Sequence, residues 1–429
     1  MSTARGAAAT RNPQQERRLL MTVQQSPADR PPNEPFTDEY FQNPYETYAW
    51  LRARHPVYRT RLPLGDGHVW LLSRYEDVRS ALADPRFSSS VERAGEGFRN
   101  SGLAYGAGGA LERSLSKTDP PDHTRLRTLA TKALTVRRME SWREPVQRIA
   151  DRLLDGLDPN NPLDVLADFG SPFAMTVLCE VLGIPLADHS VVRRWVEVMS
   201  SADPAERKQI PDAMRELERR ATELIAMKRA HRTDDLLSDL VFARDAGNQL
   251  SEIELLAMLE GLIVAGHKTS VDLIGNGLLA LLDHPAQKEL LQSRPQLIEP
   301  AVEEFLRYDG PTANSLWRFT TETVRVDGVD IPPGETVLLL LASANRDARR
   351  FSDPDSLDIG RKDTSHLGFG HGVHRCLGAA LGRLNGRVAV STVLDRFPTI
   401  QLAVPRGSIR YRRSILLRAL EELPVRLQA

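Results

Sequence analysis

Cysteine is nearly absent: the 429 residues contain only Cys179 and Cys376. Two cysteines cannot build a disulfide scaffold, and the scarcity fits a reducing compartment. An excess of one charge sign is lacking too, since 56 Lys and Arg meet 57 Asp and Glu for a formal net charge of −1. That balance leaves no electrostatic footprint for nucleic acid. No internal repeat and no Gly/Ser- or Pro-rich linker divides the middle of the chain. Residues 1–35, rich in Arg, Gln, Pro and Ala, have no hydrophobic period and read as a disordered tail. No apolar core of a secretory leader follows the early arginines, and no membrane anchor is evident, which points to the cytoplasm.

What is present is an ordinary globular composition, 41% hydrophobic and 26% charged. Stretches such as "QRIADRLLDGL", "DAMRELERRATELIAMKRAH" and "IEPAVEEFLRY" repeat apolar residues at three- and four-residue spacing, which predicts helices. Strand-like runs are fewer: "HVWLLS", "VRVDGVDIPPGETVLLLLAS" with its Asp-Gly and Pro-Pro-Gly turns, and a hairpin in "IRYRRSILLRALEELPVRL". The pattern predicts a mainly α protein with a minor β portion. Cys179, in "AMTVLCEVLGIP", reads as a buried small hydrophobe at the end of a helix.

Residues 255–285 are apolar nearly all round, which predicts one long helix through the protein centre. His267, Lys268, Thr269 and Asp272 interrupt its middle and exclude a membrane span. Polar groups halfway along a buried helix need a partner or a task. Gly266 beside them would let a flat ligand approach the backbone.

Cys376 lies in "GFGHGVHRCLG". A zinc site with His371 and His374 would lack a fourth ligand nearby. A nucleophilic cysteine could use His374 as base, but no local carboxylate orients it. The glycines at 368, 370, 372 and 378 suggest a third reading, a tight turn that aims backbone N–H groups at the sulfur. With a helix opening at Cys376 through "CLGAALGRL", the thiolate would be favoured, and a caged thiolate suits haem iron.

This loop resembles the cysteine loop of the cytochrome P-450 (haem-thiolate monooxygenase) family, with Phe369, Gly372, Cys376 and Gly378 on its fixed positions and His374 in a place where many bacterial members carry His. Other motifs follow in family order. "EEFLR" matches Glu-x-x-Arg through Glu304 and Arg307, "NRDARRFSDPDSLDIGR" resembles the meander, and "DPPDHTRLR" resembles the C-helix start. Alone, Glu304–Arg307 would read as a surface salt bridge and His123–Arg127 as a solvated face. "AGHKTS" resembles the oxygen-activation motif, except that Lys268 stands where an acid is usual.

The resemblance implies one triangular, mostly helical P-450 domain over 36–429 with a small β-rich region. Cys376 would be the axial ligand of haem b, whose propionates His123, Arg127, Arg318 and His374 would bind. Ala265, Gly266 and Phe369 would flank the haem, and Thr269 with Lys268 would serve catalysis. Thr269 could instead bond back to its own helix, and the proton route stays open among Lys268, water, His267 and a substrate hydroxyl. Val264, Ala265, Ala313, Asn314, Ile415 and Leu416 would line the pocket. The implied reaction inserts one atom of O2 into a large hydrophobic molecule by hydroxylation or epoxidation. The style is that of soluble bacterial members that tailor macrolides and other polyketides in antibiotic biosynthesis. Electrons would come from NAD(P)H through a ferredoxin reductase and a ferredoxin docked near Arg125, Lys132 and Arg137, to a monomer with no membrane partner. Two alternatives remain: the same fold with atypical proton delivery, acting on a terpenoid or carrier-bound amino acid, or a haem protein without turnover. The glycine-rich segment 89–117 would be a mobile cover of the pocket.

Overall fold

The computed structural model describes residues 30–103, 110–200, 208–245 and 250–427. The principal helices are α1 (Tyr75–Ala83), α2 (Asp122–Ala133), α3 (Arg143–Asp155), α4 (Ser171–Leu182) and α5 (His189–Ser200). They continue with α6 (Ile210–Ala230), α7 (Glu252–Gly266), α8 (Lys268–Asp283), α9 (Ile298–Tyr308) and α10 (Ala379–Arg396). The predicted helical stretches fall in α3, α6 and α9. In α3 the apolar spacing becomes a buried face of Val146, Ile149, Ala150 and Leu154, each large side chain contributing about 1.5–3 kcal/mol by leaving water.

Strands β1 (Val57–Arg61), β2 (His68–Leu72), β3 (Phe87–Ser88), β4 (Leu163–Asp164) and β5 (Arg318–Thr320) precede β6 (Val324–Val326), β7 (Val329–Ile331), β8 (Thr336–Leu339), β9 (Gln401–Leu402) and β10 (Pro424–Arg426). The largest sheet has the order β1-β2-β8-β5-β3, with β2 and β8 parallel and Arg318 opposite Val337. Strand alternation divides its core: Val69 and Leu71 pack on one face, Trp70 and Leu72 on the other. The predicted C-terminal hairpin survives as a short antiparallel contact, Arg412 N–H to Ala419 O at 2.7 Å and a Tyr411–Leu420 bridge.

The main helical core surrounds α8, which is buried from Ser270 to Leu281 and packed by α4, α9 and α10. The expected single helix over 255–285 is two helices: α7 ends at Gly266 and α8 begins at Lys268, with His267 between them at φ −84°, ψ −68°. The Thr269 and Ser270 hydroxyls donate to the Ala265 and Gly266 carbonyls at 2.9 and 3.1 Å. Such back-bonding bends helices, and hydrophobic periodicity does not register it.

Of the expected N-terminal tail, residues 1–29 lie outside the described residues. The rest is docked: Asn33 and Thr47 exchange hydrogen bonds of 3.2 and 2.8 Å. Within the expected mobile cover, residues 104–109 also lie outside the described residues. Ala110 and Ser114 are buried, with Ser114 beside Gly261 of α7, so this part is packed rather than free.

Candidate active site

The cysteine loop is a backbone-built cradle. Cys376 N–H donates to Phe369 O and Gly370 N–H to Leu367 O, both at 2.8 Å. Gly372 has φ +71°, and a Cβ there would approach Leu82 O of α1 to 2.7 Å, so only glycine seats the loop on α1. A Cβ on Gly378 would meet nothing within 4 Å, and Cys376 itself is exposed. The helix begins at Ala379, capped by Gly378, not at Cys376 as expected. Burial pushes the Cys376 thiol above its ordinary value, opposed by the Gly378 N–H and by Arg127, Arg375 and Arg383. Coordination by a metal would deprotonate the thiol outright.

Beside this cradle lies a set of buried donors with too few acceptors. Arg318, on β5, is 4% exposed. Its guanidinium donates to the Trp317 carbonyl at 3.2 Å, and burial pushes its pKa down to about 10, with Asp119 opposing. His123, on α2, is 1% exposed, and neither ring nitrogen finds a partner among the described residues. The His123 and His374 rings are 4.2 Å apart, and His374 Nε2 lies 3.0 Å from Ser89 Oγ. Burial, then Arg318, His123 and Arg127, pushes His374 down to about 3. Burial also lowers Arg127, while Cys376 raises it. Buried donors without acceptors are costly. A group carrying two carboxylates would satisfy this set, and a haem held by Cys376 with propionates on Arg318, His123, Arg127 and His374 fits. The zinc reading does not: His374 faces His123, and among the described residues no cluster of three or more His, Cys, Asp or Glu could hold a metal ion.

Under the loop, Glu304 and Arg307 form a fully buried bidentate pair, with two bonds of 2.7 Å. Arg307 also donates to the carbonyls of Asn345, Pro354 and Ser356, and Glu304 accepts from Asp358 N–H and Arg361. The pair thus ties α9 to the meander. Losing one partner of such a pair typically costs about 3–5 kcal/mol. A second anchor was not evident in the sequence. Glu303 accepts from Arg383 at 2.6 and 2.8 Å and lies 3.1 Å from His366 Nε2. His366 Nδ1 takes the Gly368 N–H, and the Arg383 guanidinium stacks 4.5 Å from the Phe369 ring centre. Burial alone would raise Glu303; its His366 and Arg383 partners bring it down to about 2.

On the α7–α8 side, Ala265 is exposed and Val264 and Thr269 are half-buried. The Thr269 hydroxyl is engaged with Ala265 O at 2.9 Å, as the intrahelical alternative anticipates. Gly266 serves a different purpose from the one expected. A Cβ there would meet Leu178 Cδ1 of α4 at 2.7 Å, so the missing side chain admits helix packing, not a ligand. His267 turns to Ser171, with Nε2 3.2 Å from both Oγ and the carbonyl oxygen, and burial pushes it down to about 4. Lys268 donates to Asp272 Oδ1 at 2.7 Å.

Ala313 and Asn314 N–H groups both reach Leu416 O, at 2.9 and 3.3 Å, and the Asn314 amide donates to Ile415 O. These four expected pocket residues therefore meet, on elements separate from Val264 and Ala265. Arg125, expected at a docking face, is committed to Glu254.

Comparison with known proteins agrees with this geometry. The sequence profile of the cytochrome P-450 family matches residues 205–403. The chain is similar to the vitamin D(3) 25-hydroxylase of Pseudonocardia autotrophica, 44% identical over 91% of this chain and 95% of that protein. It is 42% identical to the cytochrome P-450 monooxygenase PikC of Streptomyces venezuelae, over 90% and 92% of the two chains. The tirandamycin C-bound P-450 monooxygenase TamI superposes with a TM-score of 0.83 at 40% identity, covering 91% of this chain and 99% of that one. A cysteine cradle, a buried Glu-x-x-Arg pair and a donor set awaiting two carboxylates, joined to likeness over nine-tenths of the chain, show that it belongs to the cytochrome P-450 family of haem-thiolate monooxygenases.

Proposed function

We propose that this chain, working as a single domain and a cytoplasmic monomer, oxidises a large hydrophobic polyketide, most closely a macrolide, by hydroxylation or epoxidation. The observation that carries the haem-dependent part is buried His123, with neither ring nitrogen partnered among the described residues, and buried Arg318, with one carbonyl bond, beside Cys376. The bound group supplies O2 chemistry; the chain holds it, shields it and orients the substrate. Small or apolar residues at 264, 265, 313, 415 and 416 suit an apolar substrate, with the Asn314 side chain as a polar point. PikC and TamI, the latter solved with tirandamycin C, favour the polyketide class.

Electrons reach the site from NAD(P)H through a ferredoxin reductase and a ferredoxin. With Arg125 engaged elsewhere, the docking face consists of exposed Lys132 and Arg137 and of Arg79 and Arg375 beside the cysteine loop. Among the described residues one apolar helical stretch of spanning length occurs, Val165–Leu182, and it is 67% buried inside the fold.

Two measurements test the reading. Reduced protein under carbon monoxide should show the red-shifted Soret band of thiolate ligation, and its absence would sink the haem assignment. A spin-state binding screen should then favour macrolactones over terpenoids and carrier-bound amino acids; preference for either of the latter overturns the substrate class.

A further inference from the structure

An ion pair opens α8 for which the packing supplies no evident reason. Lys268 Nζ donates to Asp272 Oδ1 at 2.7 Å, and the side chains are 16% and 0% exposed. Asp272 Oδ2 is buried and finds no donor among the described residues. The large majority of buried polar atoms find a partner, so an unpartnered carboxylate oxygen on a 0% exposed side chain is unusual. Two cations act on it, Lys268 from its own helix and Arg412 from the C-terminal segment. Arg412 is itself bonded to the carbonyls of Leu420 and Glu421. Other elements packed on α8 present Leu166 and Phe305 to its glycines and Asn385 to Ser270, while Asp168, in the π-helical segment Val165–Gly170, accepts from the Asp164 N–H. Burial wins over both cations and pushes Asp272 up to about 6. The carboxyl thus changes state near working pH, and Lys268, next to Thr269, is its link to the less buried end of the pair.

We propose that Lys268 and Asp272 form one proton-holding pair serving the α7–α8 side of the site. In the loaded state Asp272 carries a proton on Oδ2 and Lys268 is an ammonium. Lys268 gives one proton to water on the Thr269 side; a half-turn of the Asp272 carboxyl brings its proton to the Lys268 amine. This leaves a carboxylate–ammonium ion pair, its net charge lower by one, and a proton taken up from solvent reloads Asp272. The inference rests on the monooxygenase reading, whose overall reaction takes up two protons and two electrons as O2 yields one inserted oxygen and one water.

The C–O stretch of the reduced carbon monoxide complex, recorded from pH 5 to 8, reports charge near the bound gas. The full chain should show a step with its midpoint near pH 6, absent in Asp272→Asn. With a binding substrate, Asp272→Asn should lower product formed per NAD(P)H at least tenfold, the remainder appearing as peroxide. Lys268→Glu/Asp272→Asn, which moves the carboxyl one turn forward, should restore coupling. If Asp272→Asn does not retain haem, Lys268→Met, which removes a cation that holds Asp272 down, should move the step to higher pH and lower coupling. A step left at the parent midpoint in either single variant, or unchanged coupling, overturns the pair. Loss of the red-shifted Soret band in the unmodified chain would instead overturn the monooxygenase reading.

Discussion

Arg318→Leu separates a residue that stabilises the fold from one that waits for a ligand. Arg318 is 4% exposed, and among the described residues Asp119 is the charge that opposes the loss of its proton affinity. A buried cation without close compensation penalises the folded chain, and apolar replacement of buried charge is often neutral or stabilising by about 1–4 kcal/mol. The haem-free protein should therefore hold its stability or gain up to about 3 kcal/mol. The haem-loaded protein should move the other way. A charge-assisted hydrogen bond is worth about 1.5–3 kcal/mol, and tenfold corresponds to about 1.4 kcal/mol, so haem retention should weaken roughly 10- to 150-fold. Arg318→Lys, which keeps the charge but loses the planar fork, should fall between. The assay pairs thermal unfolding of both forms with the rate of haem transfer to a scavenging apoprotein. If the haem-free variant loses as much stability as the loaded one, Arg318 is a structural residue and the carboxylate reading of the pocket fails.

The remaining expectations test other parts of the site. Gly372→Ala places a side chain at φ +71° and 2.7 Å from Leu82 O, and should destabilise even haem-free protein by about 1–3 kcal/mol; Gly378→Ala, facing open space, should leave haem-free unfolding within about 0.5 kcal/mol of the parent and impair haem uptake. His267 is held near 4 in the folded chain against 6.5 as the ordinary value. The unfolded state therefore binds more protons between those limits, and the stability His267 contributes falls as pH drops through that window; His267→Gln should flatten that part of the pH–stability curve, and an unchanged curve refutes the assignment. Glu303→Gln leaves Arg383 uncompensated beside Phe369 and should raise the haem reduction potential, whereas Arg383→Gln should lower it. Each shift should be on the order of 1 kcal/mol, roughly 40 mV for one electron; shifts of the same sign would mean that both act by disturbing the loop.

Much of this site could be read from the chain because its parts are short and local. The cysteine loop, Glu304–Arg307 and His123–Arg127 each occupy a few consecutive residues, and their order along the chain did the rest. Periodicity also placed α3, α6 and α9, whose faces meet one continuous core. What could not be read depends on distant partners. Glu303 meets Arg383 and His366 across 80 and 63 residues, and nothing in "EEFLR" distinguishes its two glutamates. In sequence a glycine beside a polar motif looks the same whether it admits a ligand or, as the packing of Gly266 shows, a neighbouring Leu178. The break at His267 escaped notice because apolar residues continue on both sides.

The same contrast explains why the two sides of the site differ in kind. Beneath Cys376 the polar groups are satisfied several times over: Glu304, Arg307, Glu303 and Arg383 tie α9, α10, the meander and the loop together. Such a network has one low-energy arrangement, so it fixes the geometry of the sulfur. On the α7–α8 side bonds run mostly within one helix, and Asp272 Oδ2 and His267 Nδ1 have no partner among the described residues. That incompleteness is destabilising, and a packed helix retains it only where surrounding contacts compensate. Lys268 and Asp272 are four residues apart, an ordinary helix pairing; burial pushes the Asp272 carboxyl of that pair up to about 6. A rigid proximal side with an under-satisfied side facing it is the arrangement expected of a site that must hold one ligand still while protons arrive at another.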